Sequence, residues 1–187
     1  MITYQEAREL LESMTRSESL LRHAYTVELV MRAYAAKLGE NEEQWSITGL
    51  LHDADYEAHP DQHPKVIVGL LRERGEEEMA HAISAHYTRW GVPYNSLLDK
   101  ALLACDEITG FIVACALIRP GRLQGLEAKS VVKRLGQKSF AASVDREEVR
   151  LGAEKFGVDL KEHISFIIGV LQQHQQELQL EPVGEQA

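Results

Sequence analysis

The sequence predicts an all-α protein, and three observations predict it. Apolar residues recur at alternating steps of three and four over most of the chain, the spacing that lines one face of a helix. Short polar side chains open these periodic segments, and Gly or Pro closes them. No run of alternating apolar and polar residues is long enough to make a strand, and no internal repeat or low-complexity tract is present.

Taken in order, residues 17–38 carry Leu20, Ala24, Val27, Met31, Tyr34 and Leu38 on one face, and Gly39 ends that helix. Asn41 is placed to cap the next helix, with Glu42 and Glu43 at its positive end, and the segment runs through Trp45, Ile47, Leu50 and Leu51 to His52-Asp53. A polar connection over residues 54–62 leads to Pro64, suited to a first helical turn, and to Val66, Ile67, Leu70 and Leu71 before Gly75. A short helix over about residues 76–87 follows. The most apolar helix runs over residues 97–118 and stops at Pro120-Gly121. Asp145 and Asp159 read as caps of two further helices, the last reaching about Leu178.

A chain of 187 residues with 44% hydrophobic content can bury a sizeable core. It reads as one all-helical unit over residues 1–180, with a core about 17–118, a helical extension about 119–180 and a polar tail over 181–187. Cys105 and Cys115 fall on one helix, so neither a disulfide framework nor a cysteine-rich zinc module is expected. The N-terminal stretch has no charged leader before an apolar run, and no apolar run reaches about 18 residues, so a soluble, cytoplasmic protein without a membrane partner is expected. A net charge of -9 argues against general binding to a nucleic-acid backbone.

Polar side chains on apolar faces carry the chemistry. Asp106 shares a face with Leu102, Thr109 and Val113, where an unpaired carboxylate costs roughly several kcal/mol. His23 shares one with Val27, Val30 and Tyr34, and His86 with Met79, Ala82 and Ile83. A divalent cation is a common partner for imidazole and carboxylate turned inward, and His52-Asp53 offers two more ligands. The plain alternative stands beside this reading: an inward His is often a hydrogen-bonded core residue, and Asp53 can cap a turn. His59, His81, His163 and His174 read as surface residues.

The order of these residues, carried by LLRHAYTVELVMRAYA, GLLHDADYEAHP, HPKVIVGLLRERG, AHAISAHY and ALLACDEITGF, resembles the HD-domain superfamily of metal-dependent phosphohydrolases, over roughly residues 20–110. The resemblance extends along the whole chain to a group of predicted HD hydrolases of similar length. It implies an HD-type helical bundle with additional C-terminal helices. It also implies a metal site of His23, His52, Asp53 and Asp106, with His63 and His86 resembling the histidines that hold a second ion and Asp53 bridging the two. One or two divalent ions, Mn, Fe, Co, Zn or Mg, are implied, and their role would be to activate water for attack on the phosphorus of a small phosphorylated substrate such as a nucleotide. Asp53 and Glu57 are the candidate catalytic residues, Glu57 as a general base. HDADY stands where HDIGK is common, so the family's Lys has no counterpart, and the G-Y-P signature of cyclic dinucleotide phosphodiesterases is missing.

Between residues 119 and 138, six basic residues face one acid, a local net charge of +5, and Arg119, Lys129 and Lys133 are candidate phosphate contacts. A solvated basic helix face accounts for the same charges. A non-catalytic HD module that binds or senses a phosphorylated ligand is the alternative function. A di-iron bundle would need two Glu-x-x-His pairs, and only Glu78-Met79-Ala80-His81 fits.

Overall fold

The structure, a computed structural model, describes residues 2–184. Among them the chain forms α-helices and no strand: α1 (Tyr4–Met14), α2 (Glu18–Leu38), α3 (Glu42–Leu51), α4 (Lys65–Glu73), α5 (Glu77–His86), α6 (Leu97–Leu117), α7 (Ala128–Leu135), α8 (Arg146–Phe156) and α9 (Leu160–Gln173). Two short 3-10 turns sit at Pro60–Gln62 and Thr88–Trp90. The all-α expectation holds. Residues 185–187 of the expected tail lie outside the described residues. No helix among the described residues is long and apolar enough to cross a membrane.

The caps follow the chemistry read from the sequence. The Asn41 side chain accepts from the amide of Gln44, and Asp145 and Asp159 each accept from two amides of the turn they open. Gly39 closes α2 with φ +75, a left-handed value that a residue without Cβ reaches at no steric cost. Two regions differ. α9 ends at Gln173, and residues 174–179 form turns, because the glutamine-rich stretch no longer offers a continuous apolar face. α1 is an added helix that the apolar spacing alone did not reveal. Its signal was a capping box, in which the Thr3 hydroxyl accepts from the Glu6 amide and the Glu6 carboxylate accepts from that of Thr3.

α6 is the centre of the bundle, lying against α2, α3, α5, α7, α8 and α9, and most of its residues are buried. α2 packs on α3 along one side, α4 on α5, α7 on α9, and α1 closes over α3. A buried carboxylate ties the first three helices together: Glu28 accepts from the Tyr4 hydroxyl at 3.0 Å and from Ser46 and Arg32 at 3.1 Å each. Burial pushes the Glu28 pKa up, and these donors oppose the shift.

α8 approaches α6 at Gly152, where a Cβ would stand 2.7 Å from both Ala104 Cα and Leu103 O. Both obstacles are backbone, so Gly152→Ala is expected to lower stability by ~1–3 kcal/mol despite the better helix propensity of alanine. Chemical denaturation measures this, and an unchanged midpoint would contradict such a close crossing.

His163, expected at the surface, is instead buried between α2 and α6. Its Nε2–H donates to Ala104 O at 2.7 Å, and its Nδ1 accepts from the Tyr34 hydroxyl at 2.6 Å. Both partners are remote in the sequence, which hid them. Burial lowers the pKa of this imidazole, the Ala104 carbonyl opposing and the Lys37 charge adding to the shift. The unfolded chain therefore binds the proton more readily. Its contribution to stability is complete above the ordinary histidine value of about 6.5 and declines as pH falls below it. Unfolding curves of wild type and His163→Gln between pH 7.5 and 5.5 test this, with the flatter pH dependence expected in the variant (about 7.5 to 5.5 spans the unperturbed value).

Candidate metal centre

Five helices converge on one point. His23 projects from the second turn of α2, His52 and Asp53 follow the last residue of α3, His63 precedes α4, His86 ends α5, and Asp106 lies midway along α6. All six residues expected as ligands are brought together, in two groups: His23, His52, Asp53 and Asp106 in one, and Asp53, His63 and His86 in the other. Within each group the ligand atoms lie within 4.8 Å of one another.

The two oxygens of Asp53 face different groups. Oδ2 lies 3.4 Å from His52 Nε2 and 3.7 Å from His23 Nε2. Oδ1 lies 3.3 Å from His63 Nε2 and 3.6 Å from His86 Nε2. Asp106 Oδ1 stands 3.0 Å from His23 Nε2 and 3.3 Å from His52 Nε2, and Oδ2 reaches to 4.0 Å from His86.

The far nitrogens of three imidazoles are already engaged. His52 Nδ1–H donates to Gly49 O at 2.7 Å and His86 Nδ1–H to Ile83 O at 2.6 Å. His63 Nδ1–H donates to Asp55 Oδ1 at 2.7 Å. These bonds assign the proton to Nδ1 and leave Nε2 as a lone pair aimed into the cluster. His23 Nε2 stands 3.1 Å from the His52 lone pair and 3.0 Å from Asp106 Oδ1, with the Asp53 carboxylate beside them. Such a donor set calls for positive charge. Burial alone would lower the His52 pKa, but Asp53 and Asp106 outweigh it and hold it well above the usual imidazole range. Asp53 is likewise held well below the ordinary carboxylate value, His52 overcoming the effect of burial. A proton on His52 supplies one charge; a divalent cation supplies two and engages the nitrogen and oxygen donors together, so the residues fit such an ion.

Asp55, three residues after His52, is wholly buried and supports this centre. Its Oδ1 receives the His63 proton while Oδ2 accepts from the amides of Val66 and Ile67 at 3.0 Å each, so it also caps the start of α4. No local signal marks it in the sequence, because the amides it caps lie 11 and 12 residues on, beyond an intervening loop.

Other expectations fare differently. Glu57 is exposed, and its Oε2 accepts from the amides of Arg16 and Ser17 at 2.7 and 3.0 Å, which commits it to the start of α2. Those hydrogen bonds lower its pKa, leaving a weak base. Glu57→Ala is accordingly expected to lower the melting temperature at neutral pH while leaving turnover unchanged; a collapse of turnover would restore it as a base. Arg119 donates to Arg122 O, and Lys129 is exposed beside Glu127 at 3.9 Å. Lys133 is exposed on α7, which packs on α9 and α6. Among the described residues none of these three makes a hydrogen bond or ion pair to the cluster, because the basic segment lies beyond the C-terminal end of α6 whereas Asp106 lies midway along that helix. His81 has a partner after all, Asp99 at 3.1 Å.

Glu107, next to Asp106, has its pKa pushed up to about 8, chiefly by burial and then by the Asp106 charge.

The family model described as the HD domain matches residues 20–111, the stretch that holds all six residues of the cluster. The chain is 33% identical over 123 residues, 64% of its length, to a protein of Syntrophobacter fumaroxidans (strain DSM 10017 / MPOB) named Ribonuclease Y. It spans 22% of that relative's length. No solved structure gives a significant match.

Proposed function

The chain belongs to the HD-domain superfamily, and on that premise we propose that it is a metal-dependent phosphohydrolase that cleaves a small phosphate ester. The observation that carries this reading is the division of Asp53 between two groups of ligand atoms, Oδ2 toward His23 and His52 and Oδ1 toward His63 and His86. His23, His52, Asp53 and Asp106 would hold one divalent ion, and Asp53, His63 and His86 a second. Ions bound there would supply Lewis acidity, bringing the pKa of water toward neutrality and neutralising charge that develops on phosphate oxygens.

The chain's own contribution is orientation. Gly49 O, Ile83 O and the Asp55 carboxylate fix the tautomers of His52, His86 and His63, so that no ring has to reorient to present its lone pair. Asp53 retains partial exposure, so a substrate reaches the centre from the solvent side. The relative is by name a ribonuclease, and hydrolysis at phosphorus is in keeping with that name.

Metal analysis of protein purified without chelator, followed by a panel of phosphate esters with added manganese, iron, cobalt, zinc or magnesium, tests the proposal. Turnover that disappears in the double variant His52→Ala, Asp53→Ala supports it. Persistent turnover in that variant, or ligand-induced thermal stabilisation with no turnover of any ester, counts against it.

A further inference from the structure

Among the described residues, two large aromatic side chains stand well exposed, Tyr56 at 49% and Trp90 at 42%, and both belong to the His63 side of the metal centre. The Tyr56 ring meets the His63 ring edge-on, with centroids 5.5 Å apart and planes at 83°. Tyr87 meets the same imidazole at 5.4 Å and 85°, and Trp90 meets Tyr87 at 5.9 Å and 87°. The rings thus step outward from a ligand of the centre into solvent, from two separate connections of the chain. The other large exposed apolar residues are aliphatic.

Single exposed apolar residues need no explanation, but rings converging beside a charged cluster do. Each edge-on contact covers at most one face of a ring, so the exposed Tyr56 and Trp90 keep ring surface open to solvent. The partner that covers such a face well is a planar heteroaromatic ring, since stacking is tolerant of sequence and gains from any π-face. Arg89, exposed between Tyr87 and Trp90, has its guanidinium 5.9 Å from the Tyr87 ring centre, so the platform also carries positive charge for an anionic ligand. The outermost ring stands two ring contacts from His63, which leaves room for a sugar between a stacked base and a phosphate at Asp53.

We infer that Tyr56, Tyr87 and Trp90 form a base-binding platform, and that the phosphate ester taken by this centre is that of a nucleoside. The inference rests on the metal-centred reading above and names its substrate class. The nucleoside phosphate comes either free or as the end of a strand, and the two sources present the same chemistry to the rings.

The chain has two tryptophans; Trp45 is 2% exposed, so quenching by a bound base reports on Trp90. Metal-loaded protein is titrated with the non-hydrolysable phosphonate analogue of adenosine monophosphate, with the corresponding ribose phosphonate lacking a base, and with a short phosphorothioate oligonucleotide bearing a terminal phosphate. The nucleoside analogue is expected to quench the exposed indole and to bind about tenfold or more tightly than the ribose analogue. In calorimetry, Trp90→Leu and Tyr56→Leu should each weaken the nucleoside analogue by about tenfold and leave the ribose analogue unchanged. Tighter binding of the oligonucleotide assigns the ligand to a strand end, and weaker binding to the free nucleotide. Equal affinity for the nucleoside and ribose analogues, or leucine variants that bind like wild type, overturns the platform. Base-selective quenching without turnover of any ester would remove the hydrolase and keep the platform, whereas turnover indifferent to the base would do the reverse.

Discussion

Asp53→Ala is expected to strip the protein of both metal ions, whereas His63→Ala strips it of one. The asymmetry follows from where the oxygens point. Removing the carboxylate deletes a ligand atom from each group, while removing His63 leaves His23, His52, Asp53 and Asp106 complete. Elemental analysis after purification without chelator reads this directly, as about two, one and no equivalents in wild type, His63→Ala and Asp53→Ala. Turnover in Asp53→Ala should fall by at least about a thousandfold, since the charge-stabilising machinery leaves with the ions. An Asp53→Ala protein that keeps its full metal content would refute the bridging role. Circular dichroism separates loss of metal from loss of fold.

Asp55 is expected to separate orientation from stability. Asp55→Ala leaves the amides of Val66 and Ile67 without an acceptor in a buried position, a loss of ~1–3 kcal/mol, and frees the His63 ring. Metal affinity should drop about 10–100-fold, as it does when a partner behind a ligating histidine is removed. Asp55→Asn is the sharper probe. Its carbonyl oxygen can still accept from the two amides, so stability is largely retained. Its amide group, however, donates toward His63 Nδ1 and so favours the other tautomer, placing the proton on Nε2 where the ligand lone pair should be. Weakened metal binding with near-normal stability is the expected signature. Wild-type affinity in Asp55→Asn would show that the Nδ1 contact does not set the tautomer.

Much of the architecture was legible in the sequence because local chemistry and long-range packing agree. Gly39, Asn41, Asp145 and Asp159 mark helix ends by side-chain chemistry alone. The six clustered residues were legible for another reason: their polarity conflicts with the apolar faces that carry them, and the order of His23, His52-Asp53 and Asp106 matches a known family pattern. What escaped depends on partners that spacing does not specify. His163 finds Tyr34 from 129 positions away. Glu57 looked available to the centre because it follows His52 so closely, yet the turn between them directs it to the start of α2. The basic run after residue 118 was visible as charge, but charge alone does not tell whether the chain turns it back toward Asp106.

The carbonyls that hold His52 and His86 belong to Gly49 and Ile83, each three residues back in the final turn of its own helix. Carbonyls of a last helical turn have spare acceptor capacity, because the helix stops there and supplies few later amides. The termini of α3 and α5 therefore act as mechanical stops that set the azimuth of each imidazole. Each residue inserted into or deleted from these helices would swing its histidine by about 100° and shift it by about 1.5 Å along the axis. Length is thus constrained in α3 and α5 far more tightly than in the connections after them, and a change in helix length disarms the centre without altering any residue in it.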